Sequence, residues 1–369
     1  MFNFSLGNKG TSLGVDFGTS SIKIVELEKK NGMLHLLNYG WVEIPSKKNI
    51  GELGFDFKVE TGDSNLPLLL KKLSDKMKLK ANTAHLSMGS YKGLSALVKV
   101  NNVSESDLGE IIRLEASKYI PVSLDEVYLS SDIVSRTGQV KESGVEKLNN
   151  IFKKGDTNED MEILLVAAPK DDVHFYEGAV KSGGLEVASF ELDIFSAVRS
   201  LIGDKSGAFV VVDIGAKITN IIFVESGIIK INRNINIGGD EITKNIASSL
   251  NVTWERAEEF KKKNDYLKAE GKSIILPILN IIAKETRRVL DLYSPSQKTN
   301  IEGIIMVGGG AEIFGIADIF SESFGSIVSV GNPWKDVMIE NDNVREKSTL
   351  IAPLYATATG LAMKGLVKN

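Results

Sequence analysis

The sequence predicts an α/β fold built from two similar halves, and three observations carry that reading. Two stretches are versions of one another, GVDFGTSSIKIVEL from Gly14 and VVDIGAKITNIIFV from Val211. Aligned on their aspartates, Asp16 matches Asp213, Gly18 matches Gly215 and Ile24 matches Ile221. Each reads as a β-branched strand, an Asp-x-Gly turn of small residues and a second apolar strand: a β-hairpin whose tip is stripped of bulk. The third observation is the run Gly308-Gly309-Gly310 after an apolar strand at residues 304–307. Backbone N–H groups at glycine-rich tips approach an anion closely. Two such tips facing each other would grip the phosphates of one nucleotide.

The remaining elements follow from pattern. Residues 34–42 continue the first hairpin as strand, and a loop rich in Gly, Asp and Lys runs to about residue 64. Residues 67–77 have the spacing of an amphipathic helix, and 83–88 read as a short strand. Residues 91–184 form a self-contained α+β unit. SALVKV alternates as a strand; the helix after it has Ser104 as cap, Asp107 at the capping-box position, and Leu108, Ile111, Ile112 and Tyr119 on one face. Pro121 stops that helix. Residues 126–134 read as strand, 136–160 as a polar loop expected to be mobile, and MEILLVAAPK as a buried strand. A helix over 171–182 ends at Gly183 and Gly184. In the second half, helices are expected over 238–250, over 253–263 with Thr253 as cap, and over 274–293. A strand near 327–330 and a last helix over 350–364 complete it. Strands alternating with helices in two similar halves make duplicated α/β domains.

Composition narrows the function. At 369 residues the chain has room for two or three domains, and 43% hydrophobic content is ample for their cores. A net charge of −4 without a basic face gives no footprint for nucleic acid. The absence of cysteine excludes disulfides and thiolate zinc sites and suits a reducing cytosol. His35, His85 and His174 lack ligand spacing and read as surface or hydrogen-bonded histidines. The start, MFNFSLGNKGTS, lacks the apolar core of a signal peptide. The apolar stretch at 274–283 is too short to span a bilayer and contains Pro277. A soluble, cytoplasmic protein is expected.

The paired hairpins resemble the phosphate-1 and phosphate-2 loops of the actin, sugar-kinase and heat-shock chaperone superfamily. IIMVGGGAEIFGI resembles its adenosine loop. Four further segments resemble the type IV pilus assembly PilM family: LGVDFGTSSIKIVELEKKNG, EIIRLEASKYIP, ILLVAAPK with SGGLEVASFELDIFSAVRS, and IGGDEITKNIASSL with WERAEEFKKK. The resemblance implies an actin-like, ribonuclease H-like fold of four subdomains around an interdomain nucleotide cleft. Subdomain 1A would cover residues 1–90 and 185–205, and the inserted 1C would cover 91–184. Subdomain 2A would cover 206–240 and 300–369, and 2B would cover 241–299. An FtsA-like cell-division filament protein is the alternative reading, since FtsA shares the insertion, and a small-molecule (sugar-type) kinase is a more distant one. FtsA ends in a linker and a membrane-binding helix. Here the tail after Gly360 offers Lys364 and Lys368, with Leu361, Met363, Leu366 and Val367. At about 1 kcal/mol per basic residue that is too little for stable attachment.

By the same resemblance, Asp16 and Asp213 would face a Mg²⁺ ion, which keeps waters and uses one or two carboxylates plus phosphate oxygens. The plainer reading of each is an Asp bonded to its own turn. Gly18, Thr19, Ser20 and Ser21 would donate to the terminal phosphates, Lys23 would reach them as a point charge, and Gly215 and Ala216 would form the opposing cradle. Lys23 read alone is a solvent-facing strand lysine. Gly308, Gly309 and Gly310 would hold ribose and α-phosphate against backbone and the N-terminus of the next helix. Glu258 and Lys261 match the family's Ala-Glu-x-x-Lys and would approach adenine or ribose; read alone they are an i,i+3 pair on a solvated face. Lys262 and Lys263 read as solvated.

Three look-alike motifs carry nothing. Gly271-Lys272-Ser273 has Tyr266 where a Walker A glycine belongs. Ser20-Ser21-Ile22-Lys23 lies inside a phosphate hairpin and has no Lys-Thr-Gly partner, and Ile313 replaces the last glycine of a dinucleotide fingerprint. Lys217, Thr219 and Asn220 offer no clear group to orient an attacking water, so ATP binding with at most slow hydrolysis is expected. The resemblance implies an ATP-binding scaffold of the type IV pilus inner-membrane platform, cytoplasmic and recruited to the inner face of the membrane. Its partner would be the N-terminal peptide of a PilN-like protein, held between 1A and 1C. Other platform proteins and a homo-oligomer are further partners, with no nucleic acid and no direct membrane insertion.

Overall fold

The structure is a computed structural model and describes residues 2–3, 10–44, 66–104, 106–137, 159–262, 272–293, 301–313, 315–325 and 327–366. The loops expected before residue 64 and over 136–160 fall mostly outside the described residues. The chain forms two compact units. One comprises Tyr91–His174 with Met1–Phe2, and the other Asn3–Ser90 with Phe175–Asn369.

The larger unit holds the duplication. Its strands are β1 (Phe2–Asn3), β2 (Thr11–Phe17), β3 (Ser21–Lys30), β4 (Met33–Glu43), β5 (Thr83–Met88), β9 (Glu186–Leu192), β10 (Ala208–Ile214), β11 (Thr219–Glu225), β12 (Ile228–Ile235), β13 (Ile301–Val307), β14 (Val328–Val330) and β15 (Val337–Met338). One sheet runs β1-β9-β5-β2-β3-β4-β15 and the other β12-β11-β10-β13-β14. Read from the meander, both contain the same five-strand order: three antiparallel strands, then two parallel ones. The sequence repeat is therefore a topological repeat, with β2-β3 answering β10-β11.

One helix ties the first sheet to the rest. α10 (Ala356–Lys364), after a 3₁₀ turn over Ala352–Tyr355, is made almost wholly of small buried residues. A side chain at Gly14 would meet the Ala358 carbonyl at 1.9 Å, and one at Gly360 would meet the Ser196 carbonyl at 1.8 Å. So α10 lies directly on β2 and on α4 (Asp193–Leu201), backbone to backbone. The contact is pinned by Glu191, which accepts from Ser196 Oγ at 2.5 Å and Arg199 Nη1 at 2.6 Å and pairs with Lys364 Nζ at 3.0 Å. Arg199 also donates to the Gly360 carbonyl at 2.9 Å. Those two cations hold the Glu191 carboxyl down at about 2 against the opposing effect of burial. Leu361 and Leu366 are buried as well. Lys364, expected as an exposed tail cation, is thus a buried ion-pair partner, and the tail through Leu366 is core.

The smaller unit is a three-stranded antiparallel sheet, β6 (Leu94–Val103), β8 (Glu159–Pro169) and β7 (Val127–Thr137), in the order β6-β8-β7. Helix α2 (Leu108–Tyr119) packs on it through Ala116, with Ile120 beside it. Ser104 accepts from the Asp107 N–H at 3.3 Å and donates to its carboxylate at 2.8 Å, so the expected box closes one turn before the helix begins. The expected last helix is two. α9 (Asp342–Ile351), capped by Asn341, ends where Pro353 forces the 3₁₀ turn, and α10 follows. The other helices are α1 (Leu66–Met77), α3 (Lys170–Ser182), α5 (Gly239–Leu250), α6 (Trp254–Lys262), α7 (Lys272–Tyr293) and α8 (Ile316–Phe324).

The α10 contact gives a test of the fold. Gly360→Ala should cost about 1–3 kcal/mol or more in urea unfolding, because a methyl has no space there. Gly178→Ala, where nothing lies within 4 Å, should be neutral or stabilise the protein by up to about 1 kcal/mol. Equal stability of the two variants would contradict the packing described.

Candidate functional site

The two hairpin tips close alike. The Gly18 N–H donates to the Ser21 carbonyl at 3.0 Å and the Gly215 N–H to the Ile218 carbonyl at 2.9 Å. An added Cβ would sit 3.1 Å from the first acceptor and 2.8 Å from the second. The glycines therefore supply room rather than donors, which corrects the expectation that the Gly18 amide faces a phosphate. Among the described residues no protein partner takes the amides of Thr19, Ser20 or Ala216. Thr19 and Ser20 form the open tip, while Ser21 is buried at the start of β3.

Each aspartate lies one residue before the end of its strand, Asp16 in β2 and Asp213 in β10. Asp16 accepts from Ser87 Oγ at 2.8 Å and stands 3.6 Å from Lys23 Nζ. Lys23 is thus turned to the aspartate rather than to open solvent. Asp213 is pushed up to about 6 by burial and then by the charge of Asp16, with Lys23 opposing. The two matched carboxylates, one from each half, are close enough to repel one another.

A third carboxylate joins them. Asp193, at the first position of α4, is pushed up to about 7 by burial, then by Asp213 and Asp16. Its Oδ1 accepts from the Ser90 N–H at 2.9 Å and the Ile194 N–H at 2.8 Å, and its Oδ2 from Asn220 Nδ2 at 3.2 Å. Sequence reasoning passed over Asp193. The available signal was its place at the junction of an apolar parallel strand and a helix, where α/β proteins gather their sites.

Three carboxylates against one nearby lysine leave an excess of negative charge. Among the described residues no group of three or more His, Asp or Glu side chains is arranged to hold a metal by itself. A donor set of two facing carboxylates that repel one another still fits Mg²⁺, which completes its shell with waters and phosphate oxygens.

The glycine run leans on the second hairpin. Gly308 has φ +80°, and a Cβ there would lie 2.3 Å from Asp213 Oδ1; one at Gly310 would lie 2.2 Å from Ile214 Cγ2. Gly309 is exposed, and its Cβ would meet only Leu354 Cδ2 at an ordinary 3.6 Å. Gly308 and Gly310 are thus required by packing, and Gly309 alone faces open space. The run leads into a 3₁₀ turn over Gly309–Glu312, and α8 begins only at Ile316. The helix N-terminus that follows the glycines is that of this 3₁₀ turn, with Gly308 at its N-cap position.

Glu258 and Lys261 hold each other. Lys261 Nζ donates to Glu258 Oε1 at 2.5 Å, to Thr243 Oγ1 at 2.8 Å and to the Gly239 carbonyl at 3.3 Å, while Thr243 Oγ1 also donates to Glu258. Lys261 is buried and Glu258 keeps the more open position, so the pair is not the solvated one that spacing suggests. The network fixes the start of α5, whose Gly239 and Asp240 amides donate to the Gly215 and Ala216 carbonyls at 2.9 and 2.8 Å. Glu312 stands nearby, its carboxyl raised by burial while Lys262 and Lys261 pull it back. His85 is half-buried and bonded to Ser189 Oγ at 2.7 Å, and His174 bonds Tyr128 at 2.9 Å, as sequence suggested.

A family model described as type IV pilus assembly protein PilM matches residues 14–366. The chain belongs to the PilM family. Related sequences include the cell division protein FtsA of Streptococcus pneumoniae, 19% identical over 369 residues, with 89% of this chain and 77% of that protein covered. FtsA of Bacillus subtilis is 20% identical over 357 residues, covering 89% and 80%. Among solved structures, a PilM-PilN type IV pilus biogenesis complex superposes with a TM-score of 0.78 at 22% identity, over 97% of this chain and 99% of that one. The ethanolamine utilization protein EutJ from Carboxydothermus hydrogenoformans gives 0.54 at 17%, over 98% and 92%. The fold is actin-like, and the chain is a pilus-assembly protein of that class. No described helix is long and apolar enough to cross a membrane.

Asp193 predicts a pH effect. Its folded value of about 7 lies above the ordinary carboxylate range, so its stabilising share is full below about pH 4 and lost as pH rises through 7. His85, lowered to about 4 by burial and the nearby Lys364, acts oppositely between about pH 4 and 6.5, so the comparison must be with a variant. Without nucleotide, the melting temperature of Asp193→Asn relative to the parent should rise between pH 5 and pH 8. A constant offset across that range would show that Asp193 titrates normally.

Proposed function

We propose that this PilM-family chain is an ATP-binding scaffold of the type IV pilus inner-membrane assembly platform. The observation that carries the reading is the convergence of Asp16 and Asp213, from duplicated hairpins, beside the open Gly309. The site residues are assigned as follows. Asp16 and Asp213 face the Mg²⁺, and Thr19, Ser20, Ser21, Lys23 and Ala216 meet the phosphates in room left by Gly18 and Gly215. Gly309, flanked by Gly308 and Gly310, lies under the nucleoside, with Glu258, oriented by Lys261, toward adenine or ribose. When bound, Mg²⁺ would supply charge neutralisation for the phosphates. The subdomain assignment goes with this reading: 1A over 1–90 and 185–205, 1C over 91–184, 2A over 206–240 and 300–369, and 2B over 241–299.

Asp193 is the carboxylate suited to accept a proton from an attacking water. Its bonds to Ser90, Ile194 and Asn220 hold it beside the aspartates. Lys217, Thr219 and Asn220 on the second hairpin offer no clear group to orient that water, which supports at most slow turnover. The partner is the N-terminal cytoplasmic peptide of a PilN-like inner-membrane protein, a reading supported by the similar PilM-PilN complex. That peptide brings the protein to the inner face of the membrane, where other platform proteins and further copies of the chain assemble with it.

Calorimetry tests the site. Asp16→Ala or Asp213→Ala should weaken Mg-dependent ATP affinity by about 1.5–3 kcal/mol, the scale of a lost bond to a charged group. Gly309→Val should abolish binding without lowering the melting temperature, since its side chain has space in the protein itself. Parental affinity in all three would end the nucleotide reading. The scaffold reading has its own test. The purified protein should stay in solution with anionic vesicles and sediment only when a PilN-type peptide is tethered to them. Sedimentation with bare vesicles would favour an FtsA-like role.

A further inference from the structure

Ser90 is bonded to both halves of the duplicated unit. It follows β5, is 3% exposed, and is the last residue before the chain enters the smaller unit at Tyr91. Its N–H donates to Asp193 Oδ1 at 2.9 Å, on the first half. Its hydroxyl donates to Asn234 Oδ1 at 3.1 Å and lies 3.5 Å from Asn220 Oδ1, both on the second half. Asn220 and Asn234 are opposite one another in the β11-β12 register, and Asn220 returns to Asp193 Oδ2 at 3.2 Å. The loop closes: Asp193, Ser90, Asn220 and Asn234 form one polar seam across the two halves, with Ser90 and Asn220 its buried members.

A turn residue needs its backbone bonds, but it has no need of a buried hydroxyl aimed at the other half. Hydrogen bonds of about 3 Å weaken steeply once the groups part or tilt. The seam is therefore complete only while β5 and α4 sit against β11 and β12 at this distance. We propose that Ser90 is a positioning residue for Asp193, making the pose of that carboxylate conditional on closure of the two halves. The inference rests on the nucleotide reading above and specifies how that site is switched: the proton acceptor is aimed only when the halves meet. The hydrogen bonds of Ser90 go to Asp193, Asn220 and Asn234 and to none of the residues assigned to the phosphates, so its loss should leave nucleotide capture intact and impair only the chemical step. A group placed about 1 Å off its productive position costs on the order of a hundredfold in rate.

The test is a separation of binding from turnover in the full chain. Ser90→Ala keeps the N–H and removes the hydroxyl, and Asn234→Ala removes the acceptor without touching Asp193. Mg-ATP affinity is measured by calorimetry, hydrolysis by single-turnover release of phosphate, and folding by melting temperature. Both variants should hydrolyse about tenfold to a hundredfold more slowly than the parent while affinity stays within about threefold. Parental rates in both variants would overturn the proposal. So would a loss of rate matched by equal losses of affinity and melting temperature, which marks a merely structural role. A parent that binds Mg-ATP and never hydrolyses it would overturn this inference and leave the nucleotide site standing. A parent that fails to bind would remove both.

Discussion

Like charge brought together on purpose governs this molecule. Two carboxylates from two copies of one hairpin lie close to one another with a third beside them, and burial raises the cost of keeping Asp193 and Asp213 ionised. A folded chain tolerates such repulsion only if the surrounding structure holds the groups rigidly. The rigid parts are visible: Ser87 on Asp16, backbone amides and Asn220 on Asp193, and Gly308 giving Asp213 its space. On the function proposed above, that repulsion would favour a cation arriving together with an anion that binds through amides and hydroxyls.

The opposite arrangement lies beneath it. Two residues before Asp193, Glu191 is surrounded by Arg199, Lys364, Ser196 and, more distantly, His85. Cations are in excess there, and the lone carboxylate is fully satisfied. That cluster clamps α10 to α4, and α4 begins with Asp193. A charge-compensated acid near the end of one strand is thus followed by an acid beside two other carboxylates, with a single residue between the structural anchor and the candidate site.

Much of this was legible in the chain. The hairpins, the glycine run and the strand of residues 83–88 were readable because an Asp-x-Gly turn between β-branched runs has few other solutions. The closing helix was misjudged because residues 350–364 contain no polar break; only Pro353, at the head of a 3₁₀ turn, divides it. Glu258 and Lys261 looked like surface charges at helical spacing, and nothing local shows that Thr243, eighteen residues from Lys261, completes their network. Asp193 was passed over and Asn220 set aside for the same reason: their bonds run between the halves, which spacing does not encode.

The second hairpin differs from the first in one mechanical respect. Its tip carbonyls are bonded to the first amides of α5, and the buried Lys261 links that turn to α6. The tip is therefore the short arm of a lever whose long arm is a pair of helices. If a terminal phosphate presses at Ala216 as proposed, a shift of that turn would be carried through these bonds into α5 and α6 and be larger at their far ends. Whatever touches those distant helix ends gains a mechanical report of what occupies the tip.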